Sequence, residues 1–461
     1  MKYNREVNRT VVKSIAMTVI AFVEVITTAD AQQPVKLITL DPGHFHAALV
    51  QKSMYPQVDP TVHVYAPRGN DLQMHLDKIK GYNSAAANPT HWKEVIYEGS
   101  DFFQKMIQEK KGNVVVLAGN NRLKTDYILS SVKAGFNVFA DKPMAIDQVG
   151  FEKLKQAFEV AKKNKVLLYD IMTERYEITT MLQRAFSMEP AVFGTLENGT
   201  VDNPAVTKES VHHFYKFVSG SVLTRPAWFL DVEQQGQGMV DVTTHLVDLI
   251  QWECFPGITL NYQKDIRIDR AKNWPTVISK TQFTELTKEK ELPSYLNKYL
   301  DAQNNINILS NGEINYTIKG VHAKVSVIWN YKAPDGTGDT HYSIMRGTKA
   351  NIVIRQGAEQ GFKPTLYIEP LQQTPAYEKA VDDFVKKLNN EFKGISLKKN
   401  AKGWEVIIPD AFKEGHESHF ARVTEKYLGY LSSHNLPAWE VPNMIAKYYT
   451  TTQALKIANK K

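Results

Sequence analysis

The sequence predicts an α/β protein of two domains. The first is an N-terminal Rossmann domain with a doubly wound parallel sheet; the second is a C-terminal α+β domain with a large, mostly antiparallel open sheet. Three observations carry this prediction. Short apolar runs of strand type alternate with helix-like segments as far as Phe186, the order of a parallel α/β domain. Beyond Phe186, period-2 and β-branched segments replace that alternation, as antiparallel strands require. Glycines and polar residues gather directly after the strand-like runs of the first half, outside the strand carboxyl ends where doubly wound sheets take ligands.

The chain opens with a segment of another kind. Lys2, Arg5, Arg9 and Lys13 form a basic region, Ser14 to Val23 an apolar one, and Ala29-Asp30-Ala31 a small-residue cleavage site. Residues 1–31 are therefore expected to be a signal peptide, with the remainder secreted across the inner membrane into the periplasm. The apolar run ends at Glu24, short of the roughly 20 residues of a membrane span, so membrane insertion is not expected.

Residues 32–187 are assigned to the Rossmann domain. Val35 to Leu40 is its first strand, followed by a turn at Gly43 and a helix through Ala47, Ala48 and Leu49. Val62 to Tyr65, Val114 to Ala118, Val138 to Ala140 and Val166 to Ile171 read as further strands. Thr125 to Ala134, closed by Gly135, and the amphipathic stretch Phe151 to Lys163 read as helices. Residues 188–461 form the second domain. Its expected strands are Val192 to Val201, Asp265 to Asp269, Thr276 to Glu285, Gly312 to Ile318, His322 to Asn330, Thr340 to Arg346 and Ala350 to Gln356. One helix, Asp241 to Trp252, interrupts them, and a mixed helical tail begins at Ala376.

The formal net charge is +7, and loss of the leader, with four basic and three acidic residues, lowers it to +6. The excess is spread along solvated runs such as Lys153, Lys155, Lys162, Lys163 and Lys165. No aromatic-interleaved basic motif accompanies it, so nucleic acid is not an expected partner. Cys254 is the single cysteine, which excludes an internal disulfide even in an oxidising compartment.

The strand ends carry the candidate chemistry. Asp41-Pro42-Gly43-His44-Phe45-His46 follows the first strand, but Asp41 and His46 replace the first and third glycines of the dinucleotide fingerprint, leaving Gly43 to admit a pyrophosphate. An acid for the adenosine ribose is missing after the second strand; Arg68 stands there instead and suits a 2′-phosphate, so NADP stays open beside NAD. Gly119-Asn120-Asn121 and Asp141-Lys142-Pro143 end the next two strands. With Gly43, His44 and Phe45 they form the expected cofactor-binding set. In the interrupting helix, Asp241, His245 and Asp248 recur at i, i+4 and i+7 and so share a face. Lys142 and His245 are expected to meet across the cofactor cleft. His416-Glu417-Ser418-His419 is one residue short of a zincin motif, and no metal is expected.

With these motifs the chain resembles the Gfo/Idh/MocA oxidoreductases, more narrowly secreted Bacteroidetes-type members with their own C-terminal oxidoreductase domain. Asp141-Lys142-Pro143 matches the acidic-Lys-Pro loop, Asp241 to His245 the D-x-x-x-H helix, with support from Arg225 to Phe229 and Gly347 to Ala350. The resemblance implies Lys142 touching the nicotinamide ribose and the reacting hydroxyl, His245 accepting the proton, and Asp241 orienting the site. It implies a homo-oligomer, dimer or tetramer, built on the open sheet. The implied reaction is hydride transfer from a secondary hydroxyl of a sugar or glycoside to NAD(P), held tightly because free nucleotide is scarce outside the cytoplasm. Arg175, Arg225, Trp228 and His213 are the expected substrate contacts. Redox-assisted glycoside cleavage and a sugar-binding relic without catalysis remain alternatives.

Overall fold

The computed structural model describes residues 34–218, 221–334 and 336–460; the expected signal peptide lies outside them. The first sheet is wholly parallel. Its strands are β1 (Leu37–Leu40), β2 (Thr61–Ala66), β3 (Lys93–Glu98), β4 (Val114–Leu117), β5 (Asn137–Asp141) and β6 (Leu168–Ile171), in the order β3-β2-β1-β4-β5-β6. Helices α1 (His46–Leu49), α2 (Asn70–Asn83), α3 (Phe102–Glu109), α4 (Lys124–Lys133), α5 (Gln148–Asn164) and α6 (Ile178–Ser187) alternate with or follow these strands. β1, β4 and β6 are buried at every position, because helices cover both faces of such a sheet. Asp147 starts α5 by accepting the Gly150 amide at 2.6 Å, and Lys165 ends it in the left-handed region at φ 55°.

The second sheet has nine strands in the order β10-β11-β12-β7-β13-β14-β15-β17-β16. They are β7 (Val206–Tyr215), β10 (Ile266–Ile278), β11 (Ile306–Ile318), β12 (Val321–Lys332), β13 (Thr340–Arg346), β14 (Ala350–Arg355), β15 (Thr365–Pro370), β16 (Ser396–Asn400) and β17 (Gly403–Ile407); β8 (Phe217–Val218) and β9 (Ser221–Val222) pair separately. All its pairings are antiparallel except β12 with β7. Helices α7 (Thr243–Cys254), α8 (Tyr262–Asp265), α9 (Lys280–Thr287), α10 (Pro375–Leu388), α11 (His416–Ser433) and α12 (Glu440–Ala458) complete the chain. No helix among the described residues is long and apolar enough to cross a membrane.

Two expected strands are corrected. Val192 to Val201 forms turns with isolated bridges, because Gly194 and Gly199 adopt positive φ of 78° and 64°; the long strand starts at Val206. Thr276 to Glu285 is split: β10 ends at Ile278, and Ser279 with Gln282 forms a capping box that starts α9. The interrupting helix begins at Thr243, so Asp241 lies in the preceding turn.

The two sheets are joined through the tail. Phe420, Tyr427, Met444 and Tyr448 of α11 and α12 belong to the core around the parallel sheet, whereas Ala454 and Leu455 belong to the core of the second sheet. A buried ionic network reinforces this joint. Arg175 donates to Asp248 of α7 at 2.6 and 2.8 Å and to Glu440 of α12 at 3.2 Å. Lys447 joins Asp248 at 2.9 Å and Asp170 of β6 at 2.6 Å.

Candidate active site

The carboxyl ends of β1, β4 and β5 face α7 and the start of the second sheet across a cleft of about 1290 Å³. Lys142 reaches it from the turn after β5, where the Lys142–Pro143 peptide is cis. Its Nζ donates to Asp241 Oδ1 at 2.7 Å, with side-chain exposures of only 10% and 7%. Desolvation opposes the ammonium, but the Asp241 and Asp141 carboxylates overcome it and raise the Lys142 pKa above its ordinary value. The second Asp241 oxygen accepts from Gln235 Nε2 at 3.1 Å. Lys142 thus remains a fixed cation at neutral pH.

His245 sits in the first turn of α7, buried yet lining the cleft. Its Nδ1 has no hydrogen-bond partner. Burial, followed by the charge of Lys142, pushes its pKa well below the usual imidazole value, so the ring is neutral and able to take a proton. Asn121 also lines the cleft; its Oδ1 is buried without a hydrogen-bond partner, while its Nδ2 donates to the Gln235 carbonyl at 2.7 Å. Asp248 does not line the cleft: its carboxylate is taken by Arg175 and Lys447 in the buried network.

The expected residues divide accordingly. Gly43, His44, Phe45, Gly119, Asn121, Asp141, Lys142, Arg225, Asp241 and His245 line the cleft. Arg68 does not; it pairs with Glu98 at the protein surface. Asn120 is turned to Gln234 Oε1 at 2.7 Å, and Pro143 shapes the loop beneath Lys142 without lining the cleft. Arg175 is locked in the buried network and does not line the cleft. His213 is turned away to Asp339 at 3.2 Å, and His212 lines the cleft in its place. Arg225 is held by the Phe214 and His213 carbonyls at 2.7 and 3.2 Å, with its guanidinium 4.3 Å from the Phe229 ring centre.

Trp228 crosses to the first domain. Its Nε1 donates to Asp71 Oδ2 at 2.7 Å, and both side chains cover Gly43, where a Cβ would meet Asp71 Oδ2 at 2.9 Å and the indole at 3.1 Å. Asp71 is an acid that the sequence reading did not single out. It lies in the first turn of α2, five residues past the strand, and burial pushes its pKa up to about 6. Also unforeseen are Asp339, clamped by Lys216 at 2.6 Å and His212 at 3.1 Å, and Glu174, half-exposed at the cleft wall. None of these carries a local motif; folding alone brings them together.

The fold and site define a two-domain oxidoreductase with an NAD-binding Rossmann domain. Residues 61–170 match the family described as "Oxidoreductase family, NAD-binding Rossmann fold" (GFO_IDH_MocA), and residues 182–459 match "Putative oxidoreductase C terminal domain". The chain belongs to the Gfo/Idh/MocA oxidoreductase family, in the group carrying that C-terminal domain. It is similar to a crystal structure described as "a putative oxidoreductase from Parabacteroides merdae ATCC 43184", at 53% identity and TM-score 0.90, over 92% of this chain and 98% of that one. Levoglucosan dehydrogenase in complex with NADH and levoglucosan shares the fold at 12% identity and TM-score 0.58, over 93% and 98% of the two chains. So does a 3-ketoreductase from Actinomadura kijaniata in complex with NADP, at 14% identity and TM-score 0.54, over 92% and 98%. No curated protein matches the chain.

A nicotinamide dinucleotide is the cofactor such a fold implies. The residues fit one at its reactive end: the cleft volume, the Lys142 cation and the unsatisfied atoms of His245 and Asn121 offer space and partners. The turn after β1 is less open, since the Gly43 and His44 amides donate to the Ala118 carbonyl at 3.3 and 3.2 Å.

Proposed function

We propose that this protein is an NAD(P)-dependent oxidoreductase acting on a secondary hydroxyl of a sugar or glycoside. The observation that carries the reading is the pairing, across one cleft, of a charge-locked Lys142 with a neutral His245 whose Nδ1 has no hydrogen-bond partner. Nicotinamide, when bound, supplies the hydride acceptor. His245 takes the hydroxyl proton on its imidazole. Lys142 places its ammonium at the oxygen, where it stabilises the developing negative charge. Asp241 keeps that ammonium protonated and aimed, and Arg225 offers hydrogen-bond donors to substrate hydroxyls. Export to the periplasm, tight retention of the nucleotide and assembly through the second sheet belong to the same proposal.

A second reading, redox-assisted cleavage of a glycoside, is favoured by Glu174. Desolvation and the neighbouring Glu177 push its carboxyl up to about 7, which suits a proton donor to a leaving group.

The test is to denature purified protein, assay the supernatant for nicotinamide nucleotide, and follow glycoside substrates for keto-sugar or cleaved products. Stoichiometric nucleotide, with Lys142→Ala lowering turnover roughly 10²–10³-fold at unchanged fold, is the expected result. No released nucleotide and no binding of NAD or NADP on titration would refute the reading.

A further inference from the structure

The tightest group of metal-ligating side chains in the cleft lies where the glycine fingerprint is altered. His44 and His46 stand in the turn after β1, and Asp141 closes β5; their ligand atoms all lie within 4.8 Å of one another. His46 Nδ1 is 2.9 Å, and His44 Nδ1 3.6 Å, from Asp141 Oδ2. A tetrahedral ion with bonds of about 2.1 Å holds its ligands about 3.4 Å apart, so these two separations bracket the edge of such a site. The other nitrogen of His46, Nε2, is 3.2 Å from His416 Nε2. A metal-bound imidazole is steadied by this kind of outer hydrogen bond. Asp141 and His46 are buried, and all four residues line the cleft.

We propose that His44, His46 and Asp141 bind one divalent transition-metal ion of the zinc or iron(II) kind, with His416 holding the His46 ring and the remaining coordination positions open to the cleft. Two imidazoles and a carboxylate with an open position form the ligand set of catalytic zinc and non-haem iron sites. Asp141 lies 95 residues from His46, which is why no spacing motif announces the set. The ion gives the altered turn a function. With two of its amides already donating to Ala118, the turn has little to offer an anion, and a cation at His44 and His46 restores a positive centre beside it. Lys142 and Lys124 oppose that charge, but Asp241 neutralises Lys142 at 2.7 Å. Lys124 meets Asp141 only through its main-chain oxygen at 3.2 Å, so the carboxylate stays available.

The test is titration of chelator-stripped protein with cobalt(II) and zinc(II), with elemental analysis for stoichiometry. One zinc per chain is expected, together with a visible cobalt(II) absorption that zinc abolishes. His44→Ala and Asp141→Asn should each weaken binding at least about 100-fold, and His416→Gln, which removes no ligand, roughly 10–100-fold. Circular dichroism checks each fold, and His416→Gln decides the matter should the ligand variants fail to fold. Substoichiometric zinc, or an unchanged affinity in folded His416→Gln, overturns the proposal. Nicotinamide nucleotide is assayed on the same samples: zinc at this site without nucleotide refutes the oxidoreductase reading alone, and nucleotide without zinc refutes the metal site alone.

Discussion

Asp241→Asn isolates the interaction on which the site depends. Unit charges 2.7 Å apart attract by roughly 6 kcal/mol at an effective dielectric of about 20. Desolvating both groups offsets much of that, but removing one partner leaves the other buried and unpaired, which costs about 3–5 kcal/mol. Asp241→Asn should therefore lose about 3–5 kcal/mol in urea denaturation at unchanged slope. Lys142→Met should lose a comparable amount, and the double variant much less than the sum, because neither charge is then left alone. The pH dependence follows from the sign of the shift. The Lys142 pKa is raised in the folded protein, so the stability it contributes is complete below the ordinary lysine value of 10.5 and is lost only above it. In Asp241→Asn the largest remaining influence is desolvation, which lowers the lysine pKa. The orphaned ammonium then sheds its proton as pH rises, and the deficit relative to the parent protein should shrink between pH 7 and 10. Additive single variants, or a deficit below about 1 kcal/mol, would refute a buried charge pair at this position.

Three further expectations concern other parts of the molecule. Glu94 accepts from Gln51 at 2.7 Å, and desolvation pushes its pKa up to about 7, above the ordinary 4.5, so folding favours its protonated form and stability falls as pH rises through that window. Glu94→Gln should be more stable than the parent by roughly 1–3 kcal/mol at pH 8 and nearly equal at pH 4; parallel thermal melts at both pH values would contradict this. Arg175→Met removes the guanidinium from Glu440 and one of the two cations from Asp248, which keeps Lys447, and should cost about 3–5 kcal/mol without altering nucleotide or sugar affinity; loss of affinity at intact stability would return Arg175 to the substrate site. Asp71 titrates at about 6, so tryptophan fluorescence should change near that pH as the Trp228 hydrogen bond exchanges a carboxylate for a carboxylic acid. The change should vanish in Asp71→Asn, and its persistence would place it elsewhere.

The sequence by itself determined the two-domain architecture, the parallel character of the first sheet with every strand but β3, and the placing of Gly43, Gly119, Asn121, Asp141 and Lys142 at strand ends. Those features rest on local periodicity and on the rule that ligands gather at carboxyl ends. His245 and Asp241 were legible through their spacing, although the helix starts only at Thr243. What lay between residues distant in the chain could not be read. Arg175, an expected substrate contact in the sequence, is tied to Asp248 and Glu440, the latter 265 residues away. Arg68 stands at the right place in sequence and is paired with Glu98 on the neighbouring strand. Asp71, beside Gly43, comes from the first turn of α2, and Trp228 reaches it from 157 residues away. Tertiary structure alone decides such partnerships, because charge and hydrogen bonding fall off over a few ångströms and the chain is free to bring any two segments within that range.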